Sequence, residues 1–134
     1  MRPFLIWLIV AIAGFGGVGG YWHTHLTEEP RRVLVVVDAS YPMDDDWGRV
    51  GGWLRDLSQQ RYASFALFTD KGKVHGWRGQ LDLGATRPYA PRALDRVLQL
   101  GGTTDFESAS RRILITNAPA KDLAAWSGWD IIRP

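Results

Sequence analysis

Two kinds of apolar pattern divide this chain of 134 residues. Residues 3 to 22, PFLIWLIVAIAGFGGVGGYW, carry no charge, and about 20 apolar residues in a row match the hydrocarbon core of a membrane. Beyond residue 33 the apolar residues come in short runs separated by polar segments, which is typical of a globular domain. The pattern predicts a transmembrane anchor over 1–22, a polar linker over 23–32 and a folded domain over 33–134.

The charges around the apolar segment predict its orientation. Arg2 and the amino terminus precede it, and the positive-inside rule keeps them in the cytoplasm. The domain then lies outside the cytoplasmic membrane, in the periplasm, as part of a single-pass protein. A cleaved signal peptide is the alternative, since Ala11-Ile12-Ala13 imitates a cleavage site. Both interpretations export the domain.

Strand and helix patterns alternate within the domain. VLVVVD (33–38) and RILITN (112–117) are continuous apolar runs, as expected of strands buried on both faces. YASFALFTD (62–70) and KVHGW (73–77) flank a tight turn and predict an antiparallel hairpin. The other predicted elements are helices over 47–59, 91–100 and 120–126 and a strand over 129–132. This order predicts an α/β three-layer sandwich, with a mainly parallel sheet and an antiparallel hairpin strand at its edge.

Composition narrows the class of protein. An apolar content of 46% and a charged content of 22% are those of a globular protein and not of a disordered one. The net charge is +2, and no run of Lys and Arg is longer than a pair, which argues against a nucleic-acid partner. The chain has no cysteine, which excludes disulfides and thiol chemistry.

Polar residues follow the two strands that are predicted to be buried. Asp38 and Ser40 come after the first, and Asn117 ends the second. In parallel sheets ligands bind outside the carboxyl ends of the strands. The sequence therefore predicts that these three residues share one rim of the sheet, where a site would be built.

Four motifs in this order resemble a von Willebrand factor A-type domain. DASYPM (38–43) stands where the family has D-x-S-x-S-M, and FALFTDKGKVHGW (65–77) resembles its hairpin. Gly101-Gly102-Thr103 resembles its Gly-Gly-Thr loop, and Ile115-Thr116-Asn117-Ala118 resembles its I-T-D-G strand end. The resemblance runs from about Val33 to Ile132 and implies a truncated member of the family.

The resemblance implies a metal-ion-dependent adhesion site, in which hydroxyls and an aspartate hold Mg²⁺ and a partner's carboxylate completes the shell. By position, Asp38 is the acidic anchor, Ser40 the first hydroxyl ligand and Thr103 the loop ligand. Pro42 replaces the second serine and Asn117 the later aspartate, which removes one oxygen ligand and one charge. We therefore expect no cofactor, or only weak Mg²⁺ binding.

The expected function is that of a non-catalytic, membrane-anchored module that holds a membrane-associated or periplasmic protein. A divergent hydrolase or phosphotransferase using Asp38 is one alternative, although the sequence offers no acid or base at a matching strand end. A structural subunit of a membrane complex is another. The residues predicted to contribute to partner contact are Ser40, Tyr41, Thr103, Thr104 and Asp105.

Overall fold

The computed structural model describes residues 2–134, which divide into two units after Pro30. The first unit is a single helix, α1 (Arg2–Glu28), which over Pro3–Glu28 is long and apolar enough to cross a membrane. Residues 23–28, predicted as linker, continue this helix, because nothing in their sequence breaks it. Pro30 ends the helical path, since the residue before a proline avoids the α conformation. Only Glu29 and Pro30 connect α1 to the first strand.

The second unit is an α/β fold around a five-stranded mixed sheet. The sheet has the order β3-β2-β1-β4-β5. β1 is parallel to both of its neighbours, β4 is parallel to β5, and β2 and β3 pair antiparallel. This confirms the predicted parallel sheet with an antiparallel hairpin strand at the edge. The strands are β1 (Arg31–Val37), β2 (Ala63–Thr69), β3 (Gly72–Arg78), β4 (Arg111–Ile115) and β5 (Asp130–Ile132).

Three helices complete the unit: α2 (Trp47–Ser58), α3 (Leu94–Gln99) and α4 (Thr104–Glu107). α2 agrees with its prediction. α3 begins three residues after Pro91, the predicted start. The backbone of residues 91–93 forms hydrogen bonds with side chains outside the helix, which are described below. The segment predicted as a helix over 120–126 forms only a 3₁₀ turn, Ala120–Leu123.

Helices cover both faces of the sheet. Successive side chains of β1 point to opposite faces. Val33, Val35 and Val37 pack in a hydrophobic cluster that includes buried residues of α2. Leu34 and Val36 pack in a second cluster that includes buried residues of α3 and α4. Because the central strand is apolar on both sides, it reads as a continuous hydrophobic run in the sequence.

Candidate functional site at the carboxyl rim

The loops that follow β1, β2 and β4 form one edge of the sheet, which we call the carboxyl rim. Val37, the last residue of β1, pairs with Thr69 of β2 and with Ile115 of β4. The residues that come next in the chain are Asp38, Asp70 and Thr116, and all three are buried. The fold therefore places two buried carboxylates and a hydroxyl at the carboxyl ends of neighbouring strands.

Asp38 lies at the centre of the rim and both of its carboxylate oxygens are engaged. Its Oδ1 accepts hydrogen bonds from Ser40 N (3.1 Å) and Ser40 Oγ (2.5 Å). Its Oδ2 accepts from Thr116 Oγ1 (2.6 Å) and from Arg92 Nε (2.6 Å). Charged hydrogen bonds of this kind are stronger than those between neutral groups. Asp38 thus ties the ends of β1 and β4 to the segment before α3.

Arg92 extends the network to the surface. Its Nη2 donates to Asn117 Oδ1. The amide Nδ2 of Asn117 donates in turn to Pro42 O (2.6 Å) and to Asp46 Oδ2 (3.1 Å). The neutral Asn117 can both accept from the guanidinium and donate to a carbonyl, which an aspartate could not do. The amide therefore suits a rim built around an arginine.

Asp70 performs a second bracing role that the sequence did not reveal. Its Oδ1 accepts from Ala39 N (2.9 Å), and its Oδ2 accepts from Lys71 Nζ (2.5 Å) and Ala93 N (3.0 Å). Lys71 also donates to Pro91 O. These bonds hold the 91–93 segment against the strand ends, which is why α3 starts only after it. The one available signal was the position of Asp70 at the end of a strand parallel to β1.

Of the residues predicted to contact a partner, Ser40 and Tyr41 lie at Asp38 but have opposite environments. Ser40 is buried, and its hydroxyl is committed to Asp38. The side chain of Tyr41 is 65% exposed. The side chain of Tyr41 is therefore accessible to a partner, whereas the buried Ser40 fixes the loop through its hydrogen bond to Asp38.

Thr103 precedes α4 as its N-cap residue, and Thr104 and Asp105 are the first two residues of the helix. Thr103 Oγ1 donates to Leu100 O at 2.8 Å, inside its own turn. Asp105 forms an ion pair with Lys73 of β3, at 2.6 Å between Nζ and Oδ2. The side chains of Thr103 and Thr104 are exposed. The ion pair of Asp105 thus ties this segment to the hairpin and not to Asp38.

The arrangement does not fit the Mg²⁺ shell that the resemblance implies. Arg92 Nε, a cationic donor, lies 2.6 Å from Asp38 Oδ2, where a metal ion would have to bind. The hydroxyls of Ser40 and Thr103 donate to other oxygens. Within residues 2–134, no group of three or more His, Asp and Glu side chains is placed to hold a metal ion. The guanidinium of Arg92 supplies the positive charge beside Asp38.

The alternative of an Asp38 nucleophile meets a geometric difficulty. Each carboxylate oxygen already accepts two hydrogen bonds, and the side chain is buried. His75, the histidine of the domain, is buried on β3. Its Nδ1 lies 2.7 Å from Gly76 O, and its Nε2 accepts from Asp82 N at 3.4 Å. Both ring nitrogens of His75 are thus used by the backbone.

Two exposed tyrosines lie on adjoining loops of the rim. In the described chain from Arg31 to Pro134, the exposed large hydrophobic side chains are Tyr41 and Tyr89, at 65% and 53%. Their loops are joined by two backbone hydrogen bonds, from Tyr41 N to Ala90 O (3.1 Å) and from Tyr89 N to Ala39 O (2.8 Å). Tyr89 was not predicted, because its place at the rim depends on this pairing of distant loops.

An open groove of about 670 Å³ runs beside Tyr89, between the hairpin and the 83–89 loop. Its lining includes Lys71, Lys73 and Arg87. Lys71 and Lys73 are paired with Asp70 and Asp105, while Arg87 is exposed to solvent. The groove is therefore polar, with basic side chains along its wall.

Comparisons of this chain with protein families, with curated proteins and with solved structures find no match. Its function must accordingly be argued from its own geometry.

Proposed function

We propose that this protein is a membrane-anchored, extracytoplasmic binding module that holds a partner protein at its carboxyl rim. The observation that carries the proposal is the exposure of Tyr41 and Tyr89 on adjoining loops of that rim. Tyrosine is enriched at protein interfaces, because it combines a large apolar face with a hydroxyl that hydrogen-bonds at the wet boundary. The two tyrosines are the aromatic anchors of the contact.

The network below the tyrosines supports this role. Asp38 and Asp70 fix the loops after β1 and before α3 through bonds to Ser40, Arg92 and Ala93. Loops held in this way lose little conformational entropy when a partner binds, and this favours affinity. The buried polar residues thus act by positioning the rim, and the exposed residues make the contact.

The groove indicates the chemistry of the partner. Arg87 is exposed and lines the same groove as Lys71 and Lys73, next to Tyr89. Charge complementarity favours a partner segment that carries carboxylates. Exposed Thr103 and Thr104 lie on the α4 side, where Asp105 is bonded to Lys73, and supply hydroxyls for the edge of the contact.

We interpret the domain as a degenerate von Willebrand factor A-like domain. The DASYPM turn at the end of the central strand β1 and the antiparallel hairpin at the sheet edge support this interpretation. In it, Arg92 stands beside Asp38 in the position that the resemblance gives to the metal ion. A chelator should therefore leave the partner bound, since affinity comes from packing and direct hydrogen bonds.

Co-purification from detergent-solubilised membranes tests the rim. Tyr41→Asp and Tyr89→Asp should each release the partner, because a charge replaces an apolar anchor. Gln59→Asp adds the same charge at an exposed position at the far end of α2 and should retain it. The competing surface is the edge strand around Trp77. Retention by both tyrosine variants, together with release by Trp77→Gln, would overturn the rim proposal.

The anchor is tested separately. α1 is proposed to stay attached, with the amino terminus in the cytoplasm and the domain on the other side. Mass spectrometry of the mature protein should then find the peptide that begins at residue 1 or 2. A mature amino terminus near Gly14 would make residues 1–13 a cleaved signal peptide.

A further inference from the structure

A second charged surface lies at the opposite edge of the sheet, where the parallel strands begin. Arg31 and Arg32 open β1, and Arg111 and Arg112 open β4. Arg61 precedes β2 by one residue, and Arg78 ends the antiparallel β3. We call this set of six the arginine edge. The residues come from four separate segments of the sequence and are brought together by the fold.

Strand register establishes that these arginines share one edge. Arg31 pairs with Ala63, two residues after Arg61. Arg111 pairs with Val33, and Arg78 pairs with Phe65, the third residue of β2. With Arg112, which pairs with Leu34, every pairing falls within the first four residues of β1 or β2. Neighbouring strands are about 4.8 Å apart, so the arginines span the sheet as a row.

The row is only partly neutralised. Arg111 pairs with Asp130 at 2.6 Å, and Arg112 Nη2 donates to Phe106 O at 2.9 Å. The guanidinium of Arg32 lies 5.6 Å from the ring centroid of Trp77. The side chains of Arg31, Arg61 and Arg78 are exposed and form no ion pair in the described part of the chain. Of these six arginines, only Arg111 forms an ion pair within the described residues, with Asp130.

A small cleft opens at the same edge. It has a volume of about 260 Å³ and is lined by Ala109, Ser110, Arg111, Arg112, Gly128 and Asp130. Arginine binds phosphate through a planar fork of donors, and small neighbours let a headgroup approach closely. In this cleft Arg111 already pairs with Asp130 and Arg112 with Phe106 O, so a headgroup that enters it competes with those contacts.

We propose that the arginine edge binds the anionic phosphate headgroups of the membrane that α1 enters. Two observations favour a lipid surface. The row follows the starts of neighbouring strands, and β1 begins only two residues after α1 ends. Basic residues close to a bilayer are attracted to whichever leaflet carries anionic lipids, so this attraction requires anionic lipid in the leaflet that faces the domain. The proposal concerns the edge opposite the rim and does not depend on a protein partner.

Because the native chain has no cysteine, single spin labels can be placed on the full-length protein. Gln60→Cys labels the arginine edge between α2 and β2, and Ala120→Cys labels the carboxyl side after β4. Both positions are exposed. The protein is placed in nanodiscs of phosphatidylcholine, with and without phosphatidylglycerol, that carry a paramagnetic chelate on some headgroups. Relaxation enhancement then reports which label lies near the headgroups.

We expect enhancement at residue 60, stronger with phosphatidylglycerol, and little at residue 120. The triple variant Arg31→Gln, Arg61→Gln, Arg78→Gln should lower the ratio of docked to free domain on the order of a hundredfold, at roughly fivefold per arginine. Raising the salt to about 1 M should act in the same direction, since the Debye length falls to about 3 Å. The matched control removes the same charge on the carboxyl side, at Arg96, Lys121 and Arg133.

Several results would overturn the proposal. The contact would not be specific to the arginine edge if both labels showed equal enhancement, if phosphatidylglycerol had no effect, or if the control variant had an equal effect. Release of the domain by millimolar inorganic phosphate would assign the edge to a free anion. Binding of duplex DNA at about 0.15 M salt that is lost in the arginine triple would assign it to nucleic acid.

Discussion

Replacing Arg92 by methionine tests whether one ion pair holds the carboxyl rim together. The substitution keeps most of the apolar stem and removes the guanidinium. Asp38 is buried and would retain only the hydrogen bonds from Ser40 and Thr116. Its charge would then have no cationic partner. The same substitution also removes the contact with Asn117 that links the network to the surface.

The burial of this ion pair determines how much free energy of unfolding the substitution should remove. Removing one partner of a buried ion pair costs about 3–5 kcal/mol, because the other charge stays buried without compensation. The side chain of Arg92 is 21% exposed, so water entering the gap can recover part of this loss. We expect a loss of about 2–3 kcal/mol in the free energy of unfolding. For a domain of this size that corresponds to a fall in Tm of about 10 °C.

Urea unfolding of the full-length protein in a mild detergent, followed by tryptophan fluorescence, measures this loss. Arg96→Met is the control, since Arg96 is an exposed arginine of α3, and it should change the unfolding free energy by less than about 0.5 kcal/mol. The double-mutant cycle with Asp38→Asn should give a coupling energy above about 1 kcal/mol.

An unfolding free energy for Arg92→Met within error of the Arg96→Met value would refute this reasoning. So would a cycle in which the Arg92 and Asp38 substitutions are additive. Either result would mean that the rim is held by the hydroxyl and backbone bonds, and that Arg92 only fills space beside Asp38.

Two further predictions concern the core and the metal. Val35→Asp should unfold the domain, because a buried charge without a partner costs several kcal/mol; an unchanged melting temperature would contradict the position of Val35 in the core. Calorimetric titration with millimolar Mg²⁺ or Mn²⁺ should detect weak binding or none, since Arg92 occupies the side of Asp38 that a cation needs. A micromolar affinity that Asp38→Ala abolishes would show the opposite.

The sheet was predictable because burial on both faces leaves a clear mark in the sequence. β1 and β4 are apolar at consecutive positions, and the Asp70-Lys71 turn separates two β-rich segments. Short elements were less predictable. Residues 120–126 contain helix-forming residues, but Leu123 and Trp126 pack into the second core cluster from a 3₁₀ turn and the chain that follows it. Tertiary packing here outweighs local propensity.

The sequence predicted only those parts of the candidate site that directly follow a strand. It did not predict the parts that distant segments contribute. Asp38 and Ser40 directly follow a strand, and a strand end is visible in the sequence. Arg92 reaches Asp38 across 54 residues of sequence, and the 91–93 segment carries no pattern that shows where it packs. The ion pair between Arg92 and Asp38 depends on contacts between distant segments of the chain. It becomes visible only when the strand ends are assembled.

The distribution of arginine shows the same limit. The positions of Lys and Arg along the sequence argued against a clustered basic surface, because no run of these residues is longer than a pair. Parallel strands, however, start at one edge, so pairs such as Arg31-Arg32 and Arg111-Arg112 become neighbours when β1 and β4 align. The expectation that nucleic acid is not a partner stays a prediction, and the edge variants test it directly.

The two proposals, taken together, restrict where the partner can lie. The arginine edge and the carboxyl rim are at opposite ends of the same strands. β1 has seven residues, and at about 3.3 Å per residue the rim is roughly 20 Å farther from the lipid if the arginine edge rests on the membrane. Tyr41 and Tyr89 would then face the aqueous space and not the bilayer. A partner that contacts them must project at least that far from the membrane or be free in solution. A photo-crosslinker at Tyr41 should therefore capture an extramembrane domain, and capture of a transmembrane segment would show that one of the two surfaces has been assigned wrongly.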